Sequence, residues 1–164
     1  MNDLDVRVVE LEPMRVASLW AFGESPEEQV WDRLEAWAGP KGLLDHPEEH
    51  PIFGFNNPNP SAGSPNYGYE LWIVVGPDVE PEGDVRILDF GGGLYAVARC
   101  EVVEGDLENI GRTWKRLVAW REDSRYACAT HQWLEKSVLI PQWPGTSMPP
   151  GVDFVLDLYL PIAE

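Results

Sequence analysis

The spacing of apolar residues predicts a chain that alternates between strands and two helices. Val30, Leu34 and Trp37 recur at intervals of four and three residues, which places them on one face of a helix. The segment SPEE at residues 25–28 favours a helix start there, with serine as the N-cap, proline at the first position and acids in the first turn. The same apolar spacing predicts a second helix over residues 108–121.

Short apolar segments bounded by glycine and proline predict the strands. These segments are residues 6–12, 14–22, 52–55, 69–75, 85–90, 94–103, 132–140 and 154–162. Pro13 separates the first two segments, and the three glycines at 91–93 predict a turn between strands. Residues 57–66 and 141–151 are rich in proline and predict loops.

One stretch of the sequence occurs twice. WDRLEAW at residues 31–37 returns as WKRLVAW at residues 114–120, with five of seven positions identical. Each copy follows a similar apolar stretch, VRVVE at 6–10 and VRILD at 85–89. Two copies about 80 residues apart indicate a duplicated module rather than a solenoid.

The duplication predicts the fold class. We expect one α+β domain over residues 1–164, built from two strand–helix–strand–strand modules at about 6–76 and 85–162. Each module carries an extra strand at its start. A cleft between two such halves is a natural place for a ligand.

The net charge and the cysteine content restrict the classes of binding partner and the cellular compartment that we expect. The formal charge is −16, and this acidic field repels nucleic acid and favours cationic or neutral partners, unless it serves solubility alone. Cys100 and Cys128 lack metal-type spacing, which predicts free thiols in a reducing compartment. With no apolar run long enough for a bilayer and no secretory signal, we expect a cytoplasmic protein without membrane contact.

Two motifs that suggest metal or phosphate binding have weak patterns. HPEEH at residues 46–50 places histidines four apart, but Pro47 lies between them and the pattern is not HExxH, so a solvated acidic loop is expected. The glycines at 91–93 lack the context of a phosphate-binding loop. We therefore expect no metal and no cofactor.

The segment around Glu135 has two interpretations. If it is a strand, alternation places His131, Trp133 and Glu135 on one face. A carboxylate beside a tryptophan on an inner face needs a partner, and a cationic ligand would supply one. Alternatively, Glu135 faces water and Trp133 belongs to the core. The strand with Tyr69 and Trp72 is similar, since a regular strand directs only one of these two aromatics toward a cleft.

Five segments together resemble the GyrI-like small-molecule-binding domain, also known as the effector-binding domain of bacterial multidrug-responsive transcription regulators. They are YELWI at 69–73, GLYAV at 93–97, WKRL at 114–117 with Trp120, WLE at 133–135 and DLYLPI at 157–162. The resemblance covers about residues 6–162. It implies two modules related by a pseudo-twofold axis that form an antiparallel sheet with a ligand cleft between them.

The resemblance also implies the site. A glutamate late in the second module lies in the aromatic cleft of the family, and Glu135 is its counterpart here. The cleft aromatics nominated by the same analogy are Trp133, Tyr69 and Trp72, followed by Trp20, Phe53, Phe55 and Tyr159.

Two functions follow from the resemblance, and a third remains open. The first is a stand-alone binder of hydrophobic or cationic aromatic xenobiotics, without direct DNA contact because no helix-turn-helix segment is visible. The alternative is a hydrolase of strained cyclopropane-containing alkylating compounds, with Glu135 as the general base. An adaptor that binds another protein would instead expose a large apolar patch.

Overall fold

The computed structural model describes residues 4–139 and 150–164, and these residues form nine strands and two helices. The elements are β1 (Val6–Leu11), β2 (Met14–Gly23), α1 (Pro26–Ala38), β3 (Ile52–Asn56), β4 (Tyr67–Val74), β5 (Arg86–Phe90), β6 (Gly93–Val103), α2 (Glu108–Glu122), β7 (Ala127–Cys128), β8 (Leu134–Leu139) and β9 (Val152–Ala163). All the strand pairs described below are antiparallel, and the α+β class predicted from the sequence is confirmed. Within the described ranges, neither helix has the length and apolarity needed to span a membrane.

The chain divides into two compact units. The central unit comprises residues 14–90, and the terminal unit comprises residues 1–13 and 91–164. In the central unit β4 lies between β3 and β2, and β5 pairs with the other edge of β2. In the terminal unit β9 lies between β6 and β8, β1 pairs with the other edge of β6, and β7 pairs with the end of β9.

The first strand of each predicted module pairs outside that module. β1 pairs with β6 in the terminal unit, whereas β5 pairs with β2 in the central unit. β1 and β2 are joined by Glu12 and Pro13 alone, and a two-residue hairpin needs a positive φ that these residues adopt poorly. The chain therefore passes from one unit to the other at this point instead of folding back as a hairpin.

Each helix buries the leucine of the repeated stretch. Leu34 on α1 and Leu117 on α2 occupy equivalent positions of the two copies, and both are fully buried. α1 packs on β2 and β4, and α2 packs on β6 and β9. Ala96 and Ala98 on β6 form part of the cluster around Leu117; their small side chains allow α2 to approach the sheet closely.

The glycines at 91–93 lie where β5 connects to β6, and Gly93 is the first residue of β6. Gly92 has a φ of +77°, and a Cβ atom there would lie 2.1 Å from the carbonyl oxygen of Leu11. A Cβ atom at Gly93 would lie 2.7 Å from the His131 ring. This connection therefore requires glycine at positions 92 and 93, both for the backbone conformation and for the close contacts.

The strand predicted over residues 132–140 begins later than expected. β8 starts at Leu134, because the carbonyl of Gln132 accepts a hydrogen bond from the Tyr95 hydroxyl at 2.5 Å. The His131 ring lies against Tyr95, at 4.8 Å between centroids, and does not continue the alternation that leads to Glu135. The prediction that these residues share one strand face is therefore wrong for His131. Most of the loop predicted over residues 141–151 lies outside the described residues.

We expect Leu34→Ala and Leu117→Ala each to lower the free energy of unfolding by about 2–5 kcal/mol, because each leaves a cavity under a helix. Urea denaturation measures the change. Glu35→Ala and Lys115→Ala, which alter exposed positions of the same helices, serve as controls with losses of less than about 0.5 kcal/mol. A loss for the two leucine variants as small as that of the controls would contradict the assigned helix faces.

Candidate functional site

The sheet of the central unit has two chemically different faces. One face packs on α1, and its strands contribute Leu19, Leu71 and Ile73, all buried. Strand alternation and register place a set of large aromatic rings on the opposite face. This aromatic face consists of Trp20, Phe22, Phe53, Phe55, Trp72 and Phe90.

Trp72 is the centre of the aromatic face. Its ring centroid lies 4.9 Å from that of Phe55 in an edge-to-face arrangement and 5.1 Å from that of Phe90. Phe53 lies directly opposite Trp72 in the register of β3 and β4. Phe53, Phe55 and Trp72 are all buried, so these rings pack mainly against protein.

Glu70 is a buried acid on the same face, and it was not predicted as a site residue. Its side chain is nearly inaccessible, with 3% of the residue exposed. One carboxylate oxygen accepts hydrogen bonds from the Ser18 hydroxyl at 2.6 Å and from the Trp72 indole N–H at 2.7 Å, and the other accepts one from the Asn57 amide at 3.0 Å. The Arg86 guanidinium lies 3.9 Å from this carboxylate. The sequence signal that could have identified Glu70 is its position as the single acid in the apolar run YELWI.

Trp20 and Phe22 are the exposed members of the aromatic face. Trp20 is 45% exposed, its indole N–H donates to the carbonyl of Asn57 at 2.6 Å, and its ring stacks on Phe22 with centroids 6.1 Å apart. A Cβ atom at Gly68 would lie 2.8 Å from the Trp20 indole nitrogen, so the absence of a side chain at Gly68 leaves room for the Trp20 ring.

Tyr69 lies on the opposite side of β4 from Trp72, as alternation requires. A Cβ atom at Gly54 would come within 2.4 Å of the Tyr69 hydroxyl oxygen, which shows that the tyrosine ring covers this glycine. Tyr69 and Trp72 therefore do not contribute to the same face of the central unit.

Glu135 and Trp133 lie beside α2 in the terminal unit. Glu135 pairs in register with Leu158, a residue of the cluster around Leu117, and so its side chain is on the α2 face of β8. The indole N–H of Trp114 on α2 donates to the Glu135 carboxylate at 3.2 Å. The rings of Trp114 and Trp133 lie 5.2 Å apart at 44°. We call Trp114, Trp133 and Glu135 the tryptophan–glutamate site.

The tryptophan–glutamate site is accessible. Trp133 is 45% exposed, and both Trp114 and Glu135 are half-buried. Burial raises the pKa of the neighbouring Cys100 thiol, and the charge of Glu135 contributes in the same direction. Trp114 was not nominated from the sequence, although it stands in the repeated stretch.

Tyr159 lies on the other face of the terminal sheet. Its register partner on β8 is Leu134, so its side chain points away from the face that carries Glu135. Its ring is 5.4 Å from that of Tyr95, and burial together with the nearby charge of Asp157 raises the pKa of Tyr159.

The structure thus distributes the eight nominated residues over several surfaces. Four lie on the aromatic face, Tyr69 on the other side of the same sheet, two in the tryptophan–glutamate site, and Tyr159 on the opposite side of the terminal sheet. Whether each contacts a ligand stays a prediction.

The histidine-containing motif at residues 46–50 forms an exposed group. Ligand atoms of His46, Glu48 and Glu49 lie within 4.8 Å of one another. The His50 ring instead contacts the carbonyl of Val74 at 2.8 Å, which ties the end of this segment to β4.

Comparison with known families gives one match. The sequence profile of the GyrI-like small molecule binding domain matches residues 4–133. No curated protein sequence matches the chain significantly.

Solved structures share the fold at low sequence identity. The C-terminal domain of EcmrR superposes with a TM-score of 0.71 at 12% identity, over 99% of both chains. The chain spans 57% of the longer EcmrR chain seen in a complex with DNA, with a TM-score of 0.70 at 13% identity over 98% of this chain. A hydrolase from Listeria innocua gives 0.64 at 12% identity, over 99% of this chain and 94% of the hydrolase. SAV2435 bound to tetraphenylphosphonium gives 0.58 at 9% identity, over 98% and 94% of the two chains.

We expect Glu70→Ala to lower the free energy of unfolding by about 3 kcal/mol, because it leaves the buried donors of Ser18 and Trp72, and the more exposed amide of Asn57, without their acceptor. Glu70→Gln, which keeps one acceptor oxygen, should cost less. Urea denaturation measures both variants against Glu80→Ala, an exposed acid of the same unit. Equal stability of Glu70→Ala and Glu80→Ala would show that the Glu70 hydrogen bonds contribute little.

We also expect alkaline pH to destabilise the protein. Burial and the hydrogen bond to Glu27 raise the pKa of Tyr67 to about 12, and burial raises the pKa of Tyr95 and Tyr159. A tyrosine with a raised pKa holds its proton more tightly in the folded state, so its stabilising contribution is complete below about pH 10 and is lost above it.

The urea midpoint, measured at pH values from about 8 to about 12, tests this expectation. It should be level up to about pH 10 and then fall, and Tyr159→Phe should make the fall shallower. A midpoint that stays constant across the whole range would contradict the raised pKa values.

Proposed function

Because the chain belongs to the GyrI-like family of small-molecule binding domains, we propose that it binds cationic aromatic molecules at the tryptophan–glutamate site. The observation that carries the proposal is the meeting of two indole rings and one carboxylate at an accessible place in a single unit. Trp114 and Trp133 lie 5.2 Å apart, and Glu135 accepts the indole N–H of Trp114.

Each member of the site has a chemical role in this proposal. The exposed ring of Trp133 offers apolar surface, and burial of about 100 Å² of it contributes about 2.5 kcal/mol at about 25 cal/mol per Å². A cation over an indole face gains about 0.5–2 kcal/mol. Glu135 adds selectivity for positive charge, and its hydrogen bond to Trp114 holds the carboxylate beside the rings.

The aromatic face of the central unit is less suited to a ligand. Phe53, Phe55 and Trp72 are buried, and the Trp72 ring is already packed against two others. Its acid, Glu70, already accepts three hydrogen bonds. A ligand at the buried part of this face would have to displace these contacts. Trp20 is as exposed as Trp133, but the acid opposite it, Glu70, is buried and already hydrogen-bonded.

A second candidate is hydrolysis at the same site. The structural neighbours include a protein named as a hydrolase, which shares the fold. Glu135 would take a proton from water as the water oxygen bonds to a cyclopropane carbon, and one ring C–C bond would break with its electron pair moving to a conjugated acceptor group of the substrate. The proton held by Glu135 would then return to that group, and the neighbouring indoles would stabilise positive charge that develops at the attacked carbon. Repeated product release at catalytic protein concentration distinguishes this candidate from binding alone.

We expect Glu135→Gln to weaken binding of tetraphenylphosphonium about tenfold and binding of neutral triphenylphosphine oxide by less than about twofold, because only the cation loses an electrostatic partner. Quenching of tryptophan fluorescence during titration measures both affinities. Trp133→Ala should weaken both ligands, since it removes shared apolar surface.

Glu101→Gln is the matched control, because it removes an exposed acid from the same unit. It should leave both affinities within about twofold of the wild type. Equal losses for the two ligands in Glu135→Gln would contradict the electrostatic role of Glu135. Full affinity in Trp133→Ala would place the ligand elsewhere.

A further inference from the structure

The two sheets bury an acid at equivalent positions. In the central unit, Glu70 on β4 lies opposite Trp20 on β2 and Phe55 on β3. In the terminal unit, Asp157 on β9 lies opposite Arg99 on β6 and Lys136 on β8. One row is therefore aromatic–acid–aromatic, and the other is cation–acid–cation.

The two similar apolar stretches at the module starts, VRVVE and VRILD, place one more arginine beside each row. Arg86 of VRILD lies opposite Ser18 on β2, two residues from Trp20. The matching Arg7 of VRVVE lies opposite Val97 on β6, two residues from Arg99. The terminal unit thus gathers three cations around a single buried acid.

Two of these cations hold Asp157 from both sides. Arg7 donates from Nη2 to one carboxylate oxygen at 3.1 Å, and Arg99 donates from Nε to the other at 3.1 Å. Asp157 is 4% exposed, whereas the side chains of Arg7 and Arg99 are 55% and 54% exposed. A guanidinium has five donors, so each arginine keeps N–H groups that face water.

The third cation, Lys136, has no acidic partner among the residues that the structure describes. Lys136 makes no hydrogen bond or ion pair with any residue in the described ranges 4–139 and 150–164. The exposed Glu101 lies two residues from Arg99 on the same face of β6, so three positive charges face two negative ones and leave a local surplus of one, on a chain whose formal charge is −16. Neutralising Asp157 requires one cation, so the requirement of the buried acid does not explain the surplus.

We propose that Arg7, Arg99 and Lys136 form a binding site for an oxyanion group of a small molecule, a carboxylate or a phosphate. The remaining guanidinium donors match the geometry of such a group, and the ammonium of Lys136 adds a third positive charge. Asp157 keeps both guanidinium groups in place and also competes with the ligand for them. The site lies on the sheet face opposite α2, away from the tryptophan–glutamate site. This proposal does not depend on the function proposed for the tryptophan–glutamate site.

The test is a titration of the ¹⁵N-labelled protein with sodium benzoate and, separately, with sodium phosphate at constant ionic strength, followed by amide chemical shifts. We expect saturable shifts at Arg99, Lys136 and Asp157 with at least one anion, and the two titrations distinguish carboxylate from phosphate recognition. Lys136→Gln should weaken binding about two- to fivefold. Lys115→Gln, which removes an exposed lysine from the same unit, should leave the affinity unchanged.

A second variant separates ligand binding from a purely structural role. Asp157→Asn removes the competing internal anion and should tighten anion binding about two- to fivefold. Because this variant removes a buried charge and can impair folding, Lys136→Gln, which keeps both arginine–aspartate pairs, remains the deciding one. Shifts that do not saturate, or equal affinities in Lys136→Gln and Lys115→Gln, would overturn the proposal.

Discussion

In each unit, the surrounding structure depends on the hydrogen bonds and ion pairs that stabilise one buried acid, Glu70 or Asp157. Removing a carboxylate from water costs several kcal/mol unless hydrogen bonds and opposite charges compensate. The central unit meets this requirement for Glu70 with neutral donors from Ser18, Asn57 and Trp72, and with the Arg86 guanidinium 3.9 Å away. The terminal unit meets it for Asp157 with two arginines. The choice of partners determines whether the same sheet face is aromatic or cationic.

The duplicated framework has therefore kept its architecture while its surfaces have diverged. Both helices bury the same leucine of the repeat, and both sheets place an acid at the same register. Trp31 and Trp114 also occupy equivalent positions of the repeat, but of the two only Trp114 donates a hydrogen bond to a glutamate and contacts a second indole among the residues that the structure describes. This difference between the two tryptophans arises because β8 of the terminal unit carries Glu135, the acceptor of the Trp114 indole N–H.

Periodicity was sufficient for the helices and most strands, because burial of one face dictates both patterns. It could not assign β1 and β5 to their units, since a flanking strand satisfies its pattern in either sheet. Alternation was wrong for His131 because strand pairing starts only at Leu134. Glu70 and Trp114 were missed as site residues for a related reason: their importance comes from partners that are distant in sequence, the donors at Ser18 and Asn57 and the carboxylate of Glu135.

The most direct test of the account is to follow the indole N–H signals of the eight tryptophans by NMR as tetraphenylphosphonium is added, with each signal assigned from a single Trp→Phe variant. The account predicts that the largest shifts occur at Trp114 and Trp133, while Trp20 and Trp72 change little. Large shifts confined to Trp20 and Trp72 would place the ligand on the aromatic face and contradict the assignment of the site to Glu135.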